Sequence, residues 1–321
     1  MKSINKSPSN LSDFQYNLAG GFSSTMPMVS MKELLQRARS GGYAVTYCES
    51  WNLESFQAIV AAAEEESAPF IAGFNGGFLG HSGRAKPEDL RHYACLSEAL
   101  GNCRVPAAFL LNESDDFAQI AQAIELGFNS VMVENEHLEL DSYRELVRRV
   151  VTLAHSRGVS VEAQMGHLPN PLAHGQGDAT NPEAARAFVE ETGIDALGVA
   201  VGNVHILTEG KAPVDEDTLG KIHQAVPVPL VLHGGSGIPL EFAPQLIRLG
   251  VAKINFGTSL KQAYLEAVRA KLAAYHVPMS PHPFLGMGGP EDIMVAGREA
   301  VKTKAREIIQ ALGGSGKSWV P

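Results

Sequence analysis

"PLVLHGGSGIP" (229–239) and "VAKINFGTSL" (251–260) are two neighbouring segments of this chain with the same plan. Each begins with a short apolar run, continues into a turn that contains glycine, and leads into a helical pattern. A buried strand followed by a glycine turn and a helix is the repeating unit of proteins with parallel sheets. This plan therefore allows the other strands of the chain to be located.

Apolar runs of this kind recur eight times, and amphipathic stretches separate them. One of these stretches, "NPEAARAFVEETG" (181–193), has an asparagine N-cap, a proline at its first position and a glycine just past its end. Eight strand–helix units predict a (β/α)8 TIM barrel, and a doubly wound open sheet is the alternative. The predicted strands are 43–48, 69–74, 105–111, 130–134, 159–165, 196–202, 229–234 and 251–256.

The pattern also predicts how the domain is bounded. Residues 1–30 are rich in Ser, Asn and Gly and are expected to form an N-terminal arm. No linker interrupts the units that follow, so we predict a single barrel over 31–312 and a short tail over 313–321. The segment "EDIMVAGREAVKTKAREIIQALGG" (291–314) is predicted to contribute an extra C-terminal helix.

Composition narrows the class of protein. The 321 residues are 45% hydrophobic and 19% charged, which is typical of a globular protein with a large core. The net charge of -9 argues against nucleic acid or an anionic membrane as a partner. The polar N-terminus does not resemble a secretory signal, and three cysteines without metal-like spacing favour a reducing compartment. We therefore expect a cytoplasmic protein.

Three predicted strands are followed by a side chain that can bind a metal. These are Glu113 after the third strand, His205 after the sixth and His233 after the seventh. Each residue alone could be an ordinary hydrogen-bonded loop residue. In a barrel, however, the carboxyl ends of the strands meet at one rim, where the active site lies. Two imidazoles and a carboxylate form a suitable ligand set for Zn²⁺, Mn²⁺, Fe²⁺ or Co²⁺.

The loops after the seventh and eighth strands favour a phosphate site. Gly234, Gly235 and Gly237 let backbone amides approach a ligand, and Ser236 and Thr258 add hydroxyl donors. Two ordinary glycine turns are the alternative. A metal beside a phosphate site indicates a phosphorylated carbonyl substrate, whose enediolate the metal could stabilise.

The chain resembles the class II, metal-dependent fructose- and tagatose-bisphosphate aldolases over residues 31–312. Besides the two opening segments, the resemblance rests on "GFNSVMVEN" (127–135), "AHSRGVSVEAQMG" (154–166) and "NPEAARAFVEETGIDALGVAVGNVH" (181–205). It implies a (β/α)8 barrel, a Zn²⁺ ion held by three histidines, and a homodimer or homotetramer. It also implies cleavage of ketose bisphosphates to dihydroxyacetone phosphate and an aldehyde, and it allows a monovalent cation as a second cofactor.

The resemblance assigns roles by position. His205 and His233 match two of the zinc histidines, and Asn255 matches an asparagine that contacts the substrate. The residues that match the pocket for dihydroxyacetone phosphate are Gly234, Ser236, Gly257 and Thr258.

The third strand departs from the family pattern. The family has an aspartate that acts as general acid/base, followed by the third zinc histidine, where this chain has Asn112 and Glu113. An amide cannot exchange a proton at neutral pH, and losing a positioned acid/base costs about 10²–10⁴-fold in rate. Glu113 could bind the metal in place of the histidine, or accept a proton without a metal.

Other departures lie near the same end of the site. Cys48-Glu49 replaces Phe-Asn after the first strand, Asn75 replaces a serine after the second, and Gln164 replaces a glutamate in the fifth. The loop that carries the family's base offers only His167, His174 and Asp178. The phosphate half of the site is thus preserved, and the half that handles the aldehyde is changed.

We therefore expect a metal-dependent carbon–carbon lyase that acts on a phosphorylated ketose or a related compound, with metal ligands Glu113, His205 and His233. Glu49 and His81 are the candidate proton donors. Asp178 is the candidate base in the loop after the fifth strand, and Asn112 could orient a hydroxyl. An isomerase or epimerase that uses the same enediolate is one alternative. A binding protein that keeps the phosphate pocket without turnover is the other.

Overall fold

The computed structural model describes residues 28–134, 138–169 and 177–319, and shows eight parallel strands that form a closed barrel. Each strand pairs with the next in sequence, and β8 returns to β1 with Cys48 opposite Phe256. The predicted (β/α)8 barrel is confirmed. The strands are β1 Val45–Ser50, β2 Phe70–Asn75, β3 Ala107–Ser114, β4 Ser130–Val133, β5 Ser160–Met165, β6 Ala196–Val199, β7 Leu230–Leu232 and β8 Val251–Phe256.

Helices surround the barrel. The predicted caps of α8 are present, because Asn181 accepts hydrogen bonds from two first-turn amides and Gly193 ends the helix with φ 74°. No helix in the described ranges is long and apolar enough to cross a membrane. The helices are α1 Met31–Gly41, α2 Leu53–Glu65, α3 Gly76–Leu79, α4 Arg91–Ala94, α5 Ser97–Gly101, α6 Phe117–Glu125, α7 Leu140–His155, α8 Pro182–Thr192, α9 Glu216–Ala225, α10 Ala243–Arg248, α11 Thr258–Leu272 and α12 Ile293–Ala311.

Two helices lie outside the eight strand–helix units. Helix α1 buries Met31, Leu34 and Leu35 against residues of the barrel interior and closes the amino-terminal end of the strands. The extra C-terminal helix is α12, which packs on α2 and α11. Most of the predicted arm lies outside the described residues, and the predicted domain boundaries stay predictions.

Strand β3 is longer than the sequence predicts, and this places Asn112 and Glu113 inside the barrel wall. The strand continues to Ser114 through a register shift against β4 between Leu111 and Ser114. Glu113 adopts a left-handed φ of 53° at this irregularity. Asn112 is 2% exposed and Glu113 is 9% exposed, so neither belongs to a solvated turn. A bulge of this kind changes the direction of a side chain near an active site.

The barrel interior contains a buried ion pair. The Nζ atom of Lys253 lies 2.7 Å from Oε2 of Glu162, and both side chains are fully buried. Lys253 also lies over the ring of Tyr47, 5.2 Å from its centroid. Removing one partner of such a pair leaves an uncompensated charge in a medium of low dielectric constant.

We expect Lys253→Met to lower the free energy of unfolding by about 3–5 kcal/mol, because Glu162 and Glu113 would then share a single buried cation, His233. The double variant Lys253→Met/Glu162→Gln should lose less than the sum of the single variants, since no unpaired charge remains. Urea unfolding measures both effects. Lys304→Met is the control, because its exposed pair with Glu307 is worth less than about 1 kcal/mol. Equal losses in Lys253→Met and the control would contradict this account of the interior.

Candidate active site

A cleft opens at the carboxyl ends of the strands, as in other barrels of this kind. Most of the residues singled out in the sequence meet there, and His233 lies beneath them with 2% exposure. The cleft also includes residues that the sequence analysis did not select, among them Tyr47, Phe78 and Lys261. The predicted residues that line it are Glu49, Asn112, Glu113, His205, Gly234, Ser236, Asn255, Gly257 and Thr258.

His233 is held between two carboxylates. Its Nδ1 atom lies 3.0 Å from Oε1 of Glu113, and its Nε2 atom lies 2.9 Å from Oε1 of Glu162. Burial alone lowers the pKa of His233, but the hydrogen bonds and charges of the two carboxylates outweigh burial and raise the pKa to about 9. At neutral pH the ring is therefore a cation that donates from both nitrogens.

Glu113 has hydrogen-bond partners on both oxygens. Oε1 accepts from His233, and Oε2 accepts from Nδ2 of Asn75 at 2.5 Å. Burial raises the pKa of Glu113, yet the nearby His205 and His233 hold it well below its ordinary value. The carboxylate is therefore ionised and compensates the charge on His233. Asn75, which the resemblance predicts to stand in place of the family's serine, contributes directly to this arrangement.

The predicted metal ligands are close together, but Glu113 and His233 form an ion pair with each other. Nε2 of His205 lies 3.7 Å from Oε2 of Glu113. In the described part of the chain, no group of three His, Cys, Asp or Glu side chains is placed to hold a metal ion. Two imidazoles and one carboxylate do fit a divalent transition metal chemically. Binding such an ion would require His233 to lose its Nδ1 proton and Glu113 to turn from hydrogen bonding to ligation.

The predicted phosphate residues meet at the first turn of α11. Gly234 has φ 70°, and a Cβ atom there would lie 2.1 Å from the carbonyl oxygen of Val204, so no larger residue fits. Oγ of Ser236 accepts a hydrogen bond of 3.0 Å from the amide of Ser259. The N-terminus of α11 has no side-chain cap, and such a terminus attracts anions.

Glu49 lies beside this helix terminus and pairs with a residue that the sequence analysis missed. Its Oε1 atom is 2.7 Å from Nζ of Lys261 in the first turns of α11. Burial raises the pKa of Glu49, Lys261 opposes the increase, and the charge of Glu113 adds to it. A signal for Lys261 was present in the sequence, because a cation near a helix N-terminus opposes the helix dipole and needs an anionic partner.

Three buried polar atoms at the cleft have no hydrogen-bond partner within the described residues. They are the hydroxyl of Tyr47 and the Oδ1 atoms of Asn112 and Asn255. Leaving such an atom unpaired costs about 1–3 kcal/mol. The neighbouring Ile206 adds backbone strain, since this β-branched residue has a left-handed φ of 53°. Unpaired polar atoms and strain in one cleft are typical of a site made for a ligand.

Two predicted catalytic residues are not in the cleft wall. His81 is exposed, and its Nδ1 atom accepts a hydrogen bond from the amide of Gly83. Asp178 has an 86% exposed side chain and pairs through its backbone with His167. Neither residue lines the cleft. His174, from the same loop as Asp178, lies outside the described residues.

Comparisons with known proteins agree with this architecture. Residues 29–317 match the model of the family described as fructose-bisphosphate aldolase class-II. The fructose-bisphosphate aldolase of Geobacillus stearothermophilus is 36% identical over 296 residues, which cover 91% of this chain and 99% of the relative. The fructose-bisphosphate aldolase of Thermus caldophilus is 34% identical over 319 residues, and the match covers 91% of this chain and 100% of that relative.

A solved structure gives the same result. The X-ray crystal structure of the YdjI aldolase from Escherichia coli K12 superimposes with a TM-score of 0.75 and 29% identity. The match covers 91% of this chain and all of that one. The protein belongs to the class II fructose-bisphosphate aldolase family.

The raised pKa of His233 makes stability depend on pH. The pKa of His233 is higher in the folded protein than in the unfolded chain. Its stabilising contribution is therefore complete at a pH below the unfolded pKa, and it is lost as the pH rises from there to the folded pKa. The free energy of unfolding should therefore fall by on the order of 3 kcal/mol from pH 6.5 to about 9. Chemical denaturation with a chelator present measures the change.

Glu113→Gln is the matched variant for this measurement, because an amide of similar shape cannot compensate the imidazolium. Its loss of stability should begin near the same pH, which the unfolded pKa of the imidazole sets, but it should be smaller and end at a lower pH than in the unchanged protein. A free energy of unfolding that stays constant across this range in the unchanged protein would contradict the assignment of a charged His233.

Proposed function

We propose that the protein is an aldolase-type carbon–carbon lyase that acts on a phosphorylated ketose, or on a related phosphorylated compound, through an enediolate. One observation carries this proposal. The unpaired atoms of Tyr47, Asn112 and Asn255 border the same cleft as the loops of Gly234 and Gly257. A ligand with a phosphate at one end and several hydroxyl or carbonyl oxygens at the other would satisfy both sets of groups.

The phosphate group would lie at the loops after β7 and β8. Gly234 and the start of α11 line this part of the cleft, Ser236 and Thr258 border it, and the N-terminus of α11 has no side-chain cap. Phosphate in this position is the usual arrangement in (β/α)8 barrels. The carbon chain would then extend toward Asn255 and β3.

Glu113, His205 and His233 would hold the divalent metal, for which Zn²⁺ is the first candidate and Mn²⁺ and Fe²⁺ are alternatives. When bound, the ion would polarise substrate oxygens and stabilise the enediolate. A monovalent cation remains a further candidate cofactor. The other steps are assigned to side chains of this chain.

Glu49 is the best-placed acid/base. It is a carboxyl group in the cleft wall, and burial moves its pKa toward neutrality, as proton transfer at neutral pH requires. The amide of Asn112, at the family's aspartate position, would orient the reacting hydroxyl by hydrogen bonding. His81 and Asp178 stay candidates without a place in the cleft wall.

A binding protein without turnover is the second candidate function, and the charged state of His233 favours it. Both ring nitrogens contact carboxylates, so the ring has no free lone pair for a metal in this arrangement. An isomerase or epimerase would use the same groups and differ only in its product. Metal content and product analysis distinguish these candidates.

A cytoplasmic homo-oligomer is also proposed. Helix α11 and the segment after it expose several apolar side chains, which a contact between subunits could bury. The most exposed are Leu265, Val277, Leu285 and Met287.

The first experiment measures metal content by mass spectrometry on protein purified without chelators, beside Glu113→Ala and His205→Ala. About one transition metal per chain in the unchanged protein, lost in both variants, is the expected result. Protein that stays metal-free after incubation with Zn²⁺, Mn²⁺ and Fe²⁺ would contradict the metal-dependent lyase.

Cleavage is measured next, with phosphorylated ketoses as substrates and product analysis by nuclear magnetic resonance. Glu49→Gln should lower kcat by about 10²–10⁴-fold, because the amide cannot transfer a proton. Glu241→Gln, a change of the same kind at an exposed glutamate, is the control and should keep full activity. A Glu49→Gln variant as active as the control would show that another residue is the acid/base.

A further inference from the structure

The carboxylate of Glu49 lies where an anion bound to α11 would lie. A Cβ atom added at Gly257 would be only 2.4 Å from Oε2 of Glu49, so the carboxylate is pressed against the residue that precedes the helix. Its other oxygen contacts Nζ of Lys261 at 2.7 Å. A carboxylate of the chain itself therefore already compensates Lys261 and the positive end of the helix.

This arrangement conflicts with a phosphate at the same loops. An ionised Glu49 would repel the phosphate, and the repulsion is strong because Glu49 is buried. Glu49 has little room to move away, since it is 8% exposed and pairs in register with β2. The simplest way to remove the conflict is to neutralise the carboxylate with a proton.

The groups around Glu49 make that protonation easy. Lys261 on α11 is its cationic neighbour, whereas Glu113 on β3 is anionic and Tyr47 on β1 is a neutral phenol. If Lys261 turned to another anion, burial and the charge of Glu113 would both favour the protonated form. Lys261 also lies over the ring of Phe78, 4.5 Å from its centroid, and this contact does not depend on Glu49.

We propose that Lys261 binds the phosphate of the ligand, and that it exchanges Glu49 for this phosphate when the ligand enters. Glu49 then takes up one proton from solvent, and no other bond changes. The inference rests on the proposed function, because it assumes a phosphate at the β7 and β8 loops. Under this inference, the neutral carboxyl group that Glu49 needs to act as an acid forms only when the ligand is bound.

Sulfate and inorganic phosphate are the probes for this coupling. Sulfate keeps its charge over the range in which a carboxyl group titrates, so any proton taken up belongs to the protein. Isothermal titration calorimetry of the full chain, in two buffers with different ionisation enthalpies, counts the protons bound with each anion. We expect uptake close to one proton, and an affinity that falls as the pH rises.

Four variants, checked for folding by circular dichroism, test the residues. Glu49→Gln should bind sulfate about 10-fold more tightly at neutral pH and without proton uptake, since one pKa unit corresponds to tenfold in affinity. Lys261→Met should bind about 10-fold more weakly, and Lys261→Arg should recover most of the affinity. Lys211→Met is the control, because this exposed lysine pairs with Glu241 outside the cleft wall, and it should bind like the unchanged protein.

The outcomes separate this inference from the proposed function. Anion binding without proton uptake, or Glu49→Gln that binds no more tightly than the unchanged protein, would overturn the inference and leave the phosphate pocket intact. A Lys261→Met variant that binds like Lys211→Met would also overturn it. The absence of anion binding in the unchanged protein and in Glu49→Gln would overturn the inference together with the phosphate premise of the proposed function.

Discussion

Four buried charges of alternating sign organise the interior of the barrel beneath the cleft. Lys253, Glu162, His233 and Glu113 follow one another at distances of 2.7, 2.9 and 3.0 Å. Each charge costs much to bury alone, and each is compensated by its neighbour. The series fixes the orientation of His233 and Glu113, and therefore the shape of the cleft above them. No member can change its charge without affecting the others.

The series also explains how the chain accommodates Glu113, which the resemblance predicts to stand at the position of a zinc histidine. Adding a carboxylate beside His233 introduces a negative charge, and a proton on the imidazole compensates it. Asn75 completes the arrangement by donating to the second oxygen of Glu113. Glu113 and Asn75 are both predicted departures from the family pattern, and they contact each other. If both departures are real, they form one coordinated change in a single hydrogen-bonded pair.

The parts of the site that the sequence predicted are those set by local structure. The β7 and β8 loops could be located because glycine turns between a strand and a helix have a fixed geometry. Glu113 was selected correctly as a cleft residue, but its position inside β3 depends on a register shift against β4 that no local pattern records. Lys261 was missed because its role depends on Glu49, which is distant in sequence and meets it only when the barrel closes. His81 was selected from a loop whose path the sequence does not determine.

Glu113 and Glu49 connect the two ends of the cleft. Glu113 contacts the charged series in the barrel, Glu49 contacts Gly257 in the loop after β8, and the charge of Glu113 disfavours ionisation of Glu49. Because Glu113 is firmly compensated by His233, Glu49 is the carboxylate that can change its protonation state. A metal bound at Glu113 would remove part of the negative charge that acts on Glu49, and would make Glu49 more acidic. Metal binding at one end of the cleft and anion binding at the other are therefore expected to influence each other through Glu49 and Glu113.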